Sequence, residues 1–184
     1  MNNKNQQSVV LRDMVEADIE NYVRWFTTET EWCALDTPWE PLEHGSEEEE
    51  RKNWTEYFMQ ASPIPPDAPR WKYEIEANGV HVGWVSQYRD LEFLPNPHQF
   101  PAVGIDLAAP EARGKGIGTA ALSLFLDKLR EQGFHCFYLE TWSGNGSMLR
   151  VAEKLGFHEV FRKPACRSVG GRMFDAVTFL LRDL

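Results

Sequence analysis

Residues 102–119, AVGIDLAAPEARGKGIGT, decide the fold of this chain. Residues 102–108 are predicted to form a strand, and the glycines that follow predict a turn that opens a helix. Glycines at positions 114, 116 and 118 remove the side chains that would keep an anion from the backbone N–H groups at the helix start. Because Arg113 adds a positive charge at the same place, the stretch predicts a strand–turn–helix unit that binds phosphate.

Other phosphate-binding motifs fit this turn less well. The dinucleotide-binding fingerprint needs a glycine at position 119, where Thr119 stands, and the Walker motif needs Ser or Thr after Lys115, where Gly116 stands. These departures disfavour a dinucleotide site and a nucleotide hydrolase. A merely flexible turn remains open on this motif alone.

Hydrophobic spacing on either side of the unit predicts the other helices and strands. Helices are expected at 14–27, from the capping box of Ser46 and Glu49 onward, from the glycine turn to Gly133, and at 147–155; strands are expected at 72–77, 80–88, 102–108, 135–141, 157–162 and 172–181. No repeat or linker divides the chain, so we predict one α/β (α+β) domain over residues 1–184. A crossover between parallel strands at its centre places the ligand at their carboxyl ends.

Charge and composition argue against several classes of partner. The 19 basic and 28 acidic residues give a net charge of −9, the opposite of what nucleic-acid binding needs, so no nucleic-acid partner is predicted. No apolar run has the length of a membrane span and residues 1–8 lack a secretory signal, which predicts a cytoplasmic protein without a membrane partner. Cys33, Cys136 and Cys166 are widely spaced, which predicts idle thiols and no metal site. A homodimer remains open.

Two motifs carry a resemblance to a known family. The residues from Arg113 to Gly118 resemble the pyrophosphate loop R/Q-x-x-G-x-G/A of the GNAT superfamily of N-acetyltransferases, with every fixed position matched. Asn145 followed by residues 150–157, RVAEKLGF, resembles the second signature of that superfamily. The two motifs occur in the family's order and spacing, and the resemblance covers residues 70–184 well and the N-terminal third loosely.

The resemblance implies both a fold and a co-substrate. The GNAT fold is a mixed central sheet of about seven strands, splayed at the acetyl-CoA site and flanked by about four helices. Acetyl-CoA would lie between the strands at 102–108 and 135–141, with its pantetheine arm on the backbone of the first strand and Asn145 beside the arm. The implied cofactor-binding residues are Leu107, Ala108, Ala109, Arg113, Gly114, Lys115, Gly116, Ile117, Gly118, Thr119 and Asn145.

Two subgroups of the superfamily look closest. Residues 9–12, 153–157 and 170–177 resemble the ribosomal-protein N-terminal acetyltransferases. Gly104-Ile105-Asp106, taken with the aromatic residues near position 32 and at 83–88, resembles the aminoglycoside 6′-N-acetyltransferases, in which an aspartate at the position of Asp106 serves as the base. The acceptor, an amine on a small molecule or at a protein N-terminus, stays open between them.

A base is needed because an alkyl amine with a pKa near 10.4 is protonated at pH 7, and freeing its lone pair costs roughly 4.6 kcal/mol. A carboxylate can hold the ammonium and relay its proton. Asp106 lies just before the glycine turn, close in the chain to the expected thioester, and is our first candidate for a catalytic residue. Glu140, on the facing strand, is the second. An aspartate that faces solvent or pairs with an arginine is the alternative interpretation of Asp106.

The acid and the acceptor site are less defined. In the superfamily a tyrosine seven residues after the asparagine usually protonates the departing thiolate, but Ala152 stands there, so no general acid is assigned and a non-catalytic CoA-binding sensor remains an alternative. The acceptor site is expected in the N-terminal third, where aromatic faces and carboxylates suit a cationic amine. The residues concerned are Glu31, Trp32, Asp36 and Trp39, although the tryptophans equally suit a role in covering the core.

Overall fold

The computed structural model describes residues 8–41, 45–65 and 68–183, whose strands form a single seven-stranded mixed sheet. In chain order the elements are β1 (Val9–Arg12), α1 (Ile19–Thr27), α2 (Cys33–Asp36), α3 (Glu47–Ala61), β2 (Lys72–Ala77), β3 (Val80–Tyr88), β4 (Ala102–Asp106), α4 (Ile117–Glu131), β5 (Cys136–Trp142), α5 (Gly146–Lys154), β6 (His158–Val169) and β7 (Arg172–Arg182). Short 3₁₀ turns precede α1, α2 and α4. The predicted α/β fold class is confirmed. Within the described ranges no helix has the length and apolar character needed to cross a membrane.

The strand order explains where a cleft can open. The order is β1-β2-β3-β4-β5-β7-β6, and every neighbouring pair is antiparallel except β4 and β5. These two parallel strands share one register position, Ala102 with Tyr138, next to a backbone hydrogen bond of 2.9 Å from the Tyr138 N–H to the Pro101 carbonyl. Beyond this point they separate toward their carboxyl ends, which confirms the predicted splay.

Neighbouring residues of β2 show how the helices divide between the two faces of the sheet. The Lys72 ammonium lies 4.3 Å from the centre of the Tyr22 ring of α1. The ring of Tyr73, the next residue, meets Phe125 of α4 at 6.0 Å. Because successive strand residues point to opposite faces, α1 and α4 cover opposite faces. The α1 face carries the cluster of aromatic rings around Lys72, whereas on the other face α4 buries Leu122, Phe125, Leu126 and Leu129.

A glycine in β3 lets two strands approach closely. The pairing of β2 with β3 shifts register after Ile75, and Gly83 adopts a φ of +152° at this bulge. A Cβ at Gly83 would overlap the carbonyl oxygen of Asp106 and come within 3.0 Å of the Leu107 Cα. Gly83 therefore fixes the distance between β3 and the end of β4.

Several predicted boundaries were wrong for local reasons. The first helix begins at Ile19 and not at residue 14, because Val15 is extended and a 3₁₀ turn intervenes. Strand β1 was not predicted, since four residues are too few to show a period. Strand β4 ends at Asp106 and not at Ala108, because the Ala109 N–H turns to donate to the Val82 carbonyl at 3.1 Å.

Two further boundaries depend on local backbone features. Strand β6 continues beyond residue 162 to Val169, past an irregularity with Ala165 at a φ of +47° that interrupts its pattern. The capping box that opens α3 is confirmed: the Ser46 hydroxyl accepts from the Glu49 N–H at 3.2 Å, and the Glu49 carboxylate accepts from the Ser46 N–H at 2.8 Å.

Candidate active site

A cavity of about 470 Å³ opens where β4 and β5 separate, a size typical of small-molecule sites. Most of the residues predicted for the site line it, namely Trp32, Asp36, Asp106, Leu107, Arg113, Gly114, Gly116, Gly118, Thr119, Glu140 and Asn145. Sequence reasoning missed other lining residues, among them Leu35, Ser86, Tyr88, Arg150 and Lys154. The tertiary fold thus brings the two family motifs and the N-terminal third to one cavity.

The glycine turn forms one end of the cavity. Gly114 and Gly116 adopt φ values of +73° and +83°, and a Cβ at either would meet no atom within 4 Å. Gly116 is the N-cap of α4, so the free N–H groups of the first helical turn face this open space. Side chains there would fill the space that an anion needs, so the turn fits the pyrophosphate of acetyl-CoA.

Arg113 lines the cavity and is also hydrogen-bonded within the protein, and its contact with the cofactor stays a prediction. Its guanidinium donates to the carbonyls of Leu107 and Ala108, both at 2.8 Å, and so ties the glycine turn to the end of β4. Arg150 and Lys154, which lie one turn apart on α5, also line the cavity and bring further positive charge to it. Their spacing of four residues on a helix was the signal that could have revealed them.

Six predicted residues do not line the cavity, each for a visible reason. Ala108, Ala109 and Ile117 are buried in the core, Lys115 is exposed on the turn, and Glu31 is exposed outside the cavity. The ring of Trp39 instead packs beneath Arg167, whose guanidinium carbon lies 4.3 Å from the ring centre. The cation that meets Trp39 is thus part of the protein and not an acceptor.

Asn145 connects the second motif to the N-terminal third. Its Oδ1 accepts from the Met148 N–H at 3.0 Å, which caps α5, and its Nδ2 donates to the Leu35 carbonyl at 2.8 Å. The Trp142 indole donates to the same carbonyl at 2.9 Å. The two hydrogen bonds hold α2 against β5 and α5, which places Asp36 in the cavity. A contact between Asn145 and the cofactor arm stays a prediction.

Asp106 has the electrostatic character of a base. It lies opposite Trp84 in the register of β3 with β4. Burial, and then the nearby carboxylate of Asp36, raise the pKa of Asp106 to about 8, while the Lys72 ammonium and a hydrogen bond from Trp84 act in the opposite direction. A carboxyl that titrates near neutral pH can both take and release a proton under ordinary conditions.

Two more carboxyl groups face the same cavity. Burial and the neighbouring Glu40 raise the pKa of Asp36. Burial and the neighbouring Glu92 raise the pKa of Glu140, although the Thr178 hydroxyl, 3.4 Å from Glu140 Oε2, opposes this. Three carboxyl groups, those of Asp36, Asp106 and Glu140, therefore line the same cavity as the glycine turn.

Tyr88 adds a hydroxyl that sequence reasoning missed. Its ring lies over Gly104, where a Cβ would come within 3.5 Å of Tyr88 Cε1. Burial, and then the Glu140 carboxylate, raise the pKa of Tyr88, so its phenol keeps its proton. The hairpin register could have revealed it, because Tyr88 shares a strand face with Trp84, which lies opposite Asp106.

The comparison with protein families decides the assignment. The family described as "Acetyltransferase (GNAT) domain" matches residues 8–158. The chain belongs to the GNAT acetyltransferase family. Acetyltransferases of this family use acetyl-CoA as co-substrate, so the predicted family and co-substrate are confirmed. In this GNAT chain the helix position that usually carries the acid is Ala152, which is buried in the core.

The relatives of this GNAT chain are named for different acceptors. It is 31% identical over 74 residues to the L-methionine sulfoximine/L-methionine sulfone acetyltransferase of Pseudomonas paraeruginosa, a match that covers 40% of this chain and 42%, less than half, of that protein. The ribosomal-protein-alanine N-acetyltransferase of Brucella melitensis has a similar structure, with a TM-score of 0.66 at 20% identity over 95% of this chain and 99% of that one. A phosphinothricin acetyltransferase of Sinorhizobium meliloti, solved with AcCoA, gives 0.67 at 21% identity over 95% and 88%. These structural likenesses show the fold alone.

Proposed function

We propose that the protein transfers the acetyl group of acetyl-CoA to a primary amine, with Asp106 as the base. The observation that carries this proposal is the place of Asp106 at the end of β4, in the cavity that opens beside the glycine turn. Its raised pKa of about 8 supports the assignment, because such a carboxyl can accept a proton from an alkylammonium and return it to solvent.

The reaction needs no covalent enzyme intermediate. The amine gives one proton to Asp106, and its nitrogen attacks the thioester carbonyl carbon directly. The carbon–sulfur bond then breaks, coenzyme A leaves as the thiolate, and solvent entering the open cleft protonates it. The attacking nitrogen loses its second proton to solvent as the amide forms. Asp106 also returns its proton to solvent, so the products are the acetylated amine and the free thiol.

The charged residues that line the cavity suggest which part of each substrate they bind. The glycine turn, together with Arg150 and Lys154, suits the phosphates of acetyl-CoA. The carboxyl groups of Asp36, Asp106 and Glu140 line the same cavity and suit an acceptor that carries positive charge. A free α-amino acid would bring its own carboxylate against these three groups. We therefore favour a small cationic amine over a free amino acid, with a protein N-terminus as the alternative acceptor.

Substitution of Gly116 tests the cofactor site. Acetyl-CoA, but neither NAD nor ATP, is expected to raise the melting temperature of the wild-type protein, because a ligand that binds the native state stabilises it. Gly116→Asp should weaken acetyl-CoA binding at least tenfold, roughly 1.4 kcal/mol, since its side chain enters the phosphate space and adds like charge. Calorimetric titration measures the affinity.

A matched variant controls for backbone strain and added charge. Gly171, in the turn between β6 and β7, has a φ of +77° and also meets no atom within 4 Å of a Cβ. Gly171→Asp is therefore expected to lose stability as Gly116→Asp does while binding acetyl-CoA normally. Equal affinity in Gly116→Asp and wild type would contradict the assignment of the loop.

An acceptor screen tests the reaction. Release of coenzyme A thiol is measured with a disulfide reagent for a diamine, a free amino acid and a peptide N-terminus. We expect kcat/KM for the diamine to exceed that for the amino acid at least tenfold, because one well-placed charge interaction is worth roughly 1–3 kcal/mol. A protein that binds acetyl-CoA but releases no thiol with any amine would be a sensor, and the proposed function would be wrong.

A further inference from the structure

An internal ammonium group lies behind the candidate active site. Lys72 on β2 is 8% exposed, and its Nζ lies 4.3 to 5.2 Å from the centres of four aromatic rings, those of Tyr22, Trp54, Tyr57 and Trp84. Its ion-pair partner is Glu74, whose Oε1 is 3.7 Å away. Aromatic faces stabilise a cation without hydrating it, so the charge of Lys72 stays fixed inside the α1 face.

Glu74, the ion-pair partner of Lys72, is held in place by hydrogen bonds of its own. Its Oε2 accepts from the Tyr22 hydroxyl at 2.6 Å and lies 3.0 Å from His81 Nε2. The other ring nitrogen of His81 lies 3.1 Å from Asp18. Burial lowers the pKa of Lys72, whereas Glu74 and Asp106 raise it. The ammonium thus belongs to a connected buried network and not to a flexible surface chain.

Trp84 connects this network to the cavity. The centre of its ring is 5.0 Å from Lys72 Nζ, and its side chain hydrogen-bonds to Asp106, its register partner on the neighbouring strand. The rings of Tyr22 and Trp32 pack against it at 5.2 Å each. Trp84 is 8% exposed. Its indole is therefore held in place by the surrounding side chains.

We propose that Trp84 and Lys72 are positioning residues for the base: Trp84 fixes the place of the Asp106 carboxyl, and Lys72 supplies a fixed positive charge that balances the neighbouring Asp36. The inference rests on the proposed function, in which Asp106 takes the proton of the amine. Neither residue needs to touch a substrate, since Lys72 does not line the cavity and acts through the Trp84 ring and the field of its charge.

Several other titratable groups surround Lys72 and Asp106. They are Arg12 of β1, Asp18 before α1, Tyr22 of α1, Cys33 and Asp36 of α2, Tyr57 of α3, Glu74 of β2, His81 and Tyr88 of β3, and Glu140 of β5. For Asp106 itself, Asp36 raises the pKa and Lys72 lowers it. Removing the charge of Lys72 therefore leaves only the hydrogen bond from Trp84 to oppose the effects of burial and Asp36 on the pKa of Asp106.

Neutralising Lys72 gives the first test. In Lys72→Met the pKa of Asp106 should rise by about one unit, the low end for loss of a neighbouring charge, so that kcat/KM at pH 7 falls about tenfold and recovers at higher pH. Lys72→Arg should keep the wild-type pH profile. Lys128→Met is the matched control, because Lys128 Nζ lies 4.9 Å from the Tyr73 ring on the opposite face of the sheet.

Removing the indole N–H gives the second test. Trp84→Phe keeps an aromatic ring for Lys72 but loses the donor, and should lower kcat severalfold with the KM for acetyl-CoA unchanged. Trp71→Phe, at a tryptophan that is 54% exposed, is the matched control and should leave kcat unaltered. If Trp84→Phe lowers only the melting temperature, Trp84 packs the core and does not position the base.

A direct titration separates this inference from the proposed function. The Asp106 carboxyl is followed by ¹³C NMR from low to high pH in wild type, Lys72→Met and Lys72→Arg, with its resonance assigned by its loss in Asp106→Asn. A midpoint that rises in Lys72→Met and returns in Lys72→Arg supports the inference, and an unmoved midpoint overturns it. Lys72→Gln replaces the methionine variant if that protein does not fold. Full activity of Asp106→Asn would instead contradict the proposed function, whatever the titration shows.

Discussion

Asp106→Asn is expected to lower kcat at pH 7 by about 10²–10⁴, the range usual for loss of a general base. The amide keeps the size of the side chain but cannot take the proton of the ammonium. Binding of acetyl-CoA should change little, because the glycine turn lies beyond Arg113. Thiol release under single-turnover conditions measures the chemical step, and a loss confined to KM would mean that Asp106 only binds the acceptor.

The pH dependence of the wild-type enzyme is a second test of Asp106 as the base. Only the ionised carboxylate can act as the base, so kcat/KM should rise with pH through about 8, the pKa of Asp106. In Asp106→Asn this limb should disappear, with partial recovery at high pH where more amine arrives deprotonated. Glu140→Gln serves as the matched variant. If it abolishes the limb and Asp106→Asn does not, the base is Glu140.

As pH rises, the stability contributed by Asp106 should fall while activity increases. The carboxyl of Asp106 has a higher pKa in the folded protein than its ordinary value of 3.8, so the unfolded chain loses this proton first as pH rises. Stability contributed by this group therefore falls between about pH 4 and pH 8. Asp106→Asn has no carboxyl to ionise and so avoids this loss. Its melting temperature at pH 8 should be no lower than that of wild type. A lower melting temperature with a pH-independent loss of rate would identify a structural carboxylate.

Gly83→Ala is expected to reduce the free energy of unfolding by about 3–5 kcal/mol, the sum of backbone strain and an unrelieved steric overlap. Gly83 has a φ of +152°, and the new methyl group would overlap the Asp106 carbonyl oxygen. That oxygen belongs to the main chain and cannot rotate away, so β3 and β4 must separate. Because this separation also displaces the Asp106 carboxyl, activity should fall in the fraction that remains folded.

Urea unfolding measures this effect, and a second glycine provides the control. At Gly104, on the strand paired with β3, a Cβ would meet Tyr88 and Ser86 side chains at ordinary distances of 3.5 and 3.7 Å. Gly104→Ala should therefore change the free energy of unfolding by less than about 1 kcal/mol. Equal stability of the two alanine variants would show that β3 and β4 can separate at Gly83 without a loss of stability.

The sequence by itself determined the parts of this protein that depend on neighbours in the chain. A glycine turn between a strand and a helix is such a local feature, and with the run from Asn145 to Phe157 it identified the family, the co-substrate and the crossover at the centre of the sheet. Asp106 could be named because it directly precedes that turn. The capping box of Ser46 and Glu49 was predictable for the same reason.

Only the tertiary structure decided which partners the polar side chains meet. Arg113 and Asn145 line the cavity, and the structure adds hydrogen bonds from their side chains to backbone carbonyls that folding brings near, those of Leu107, Ala108 and Leu35. The positions of Asp36 and Glu140 in the cavity, of the Tyr88 hydroxyl and of the buried Lys72 also depend on the register and packing of separate elements. The pKa of Asp106 is set by burial, Asp36 and Lys72, which are distant in the chain, because electrostatic interactions depend on separation in space and on access to water.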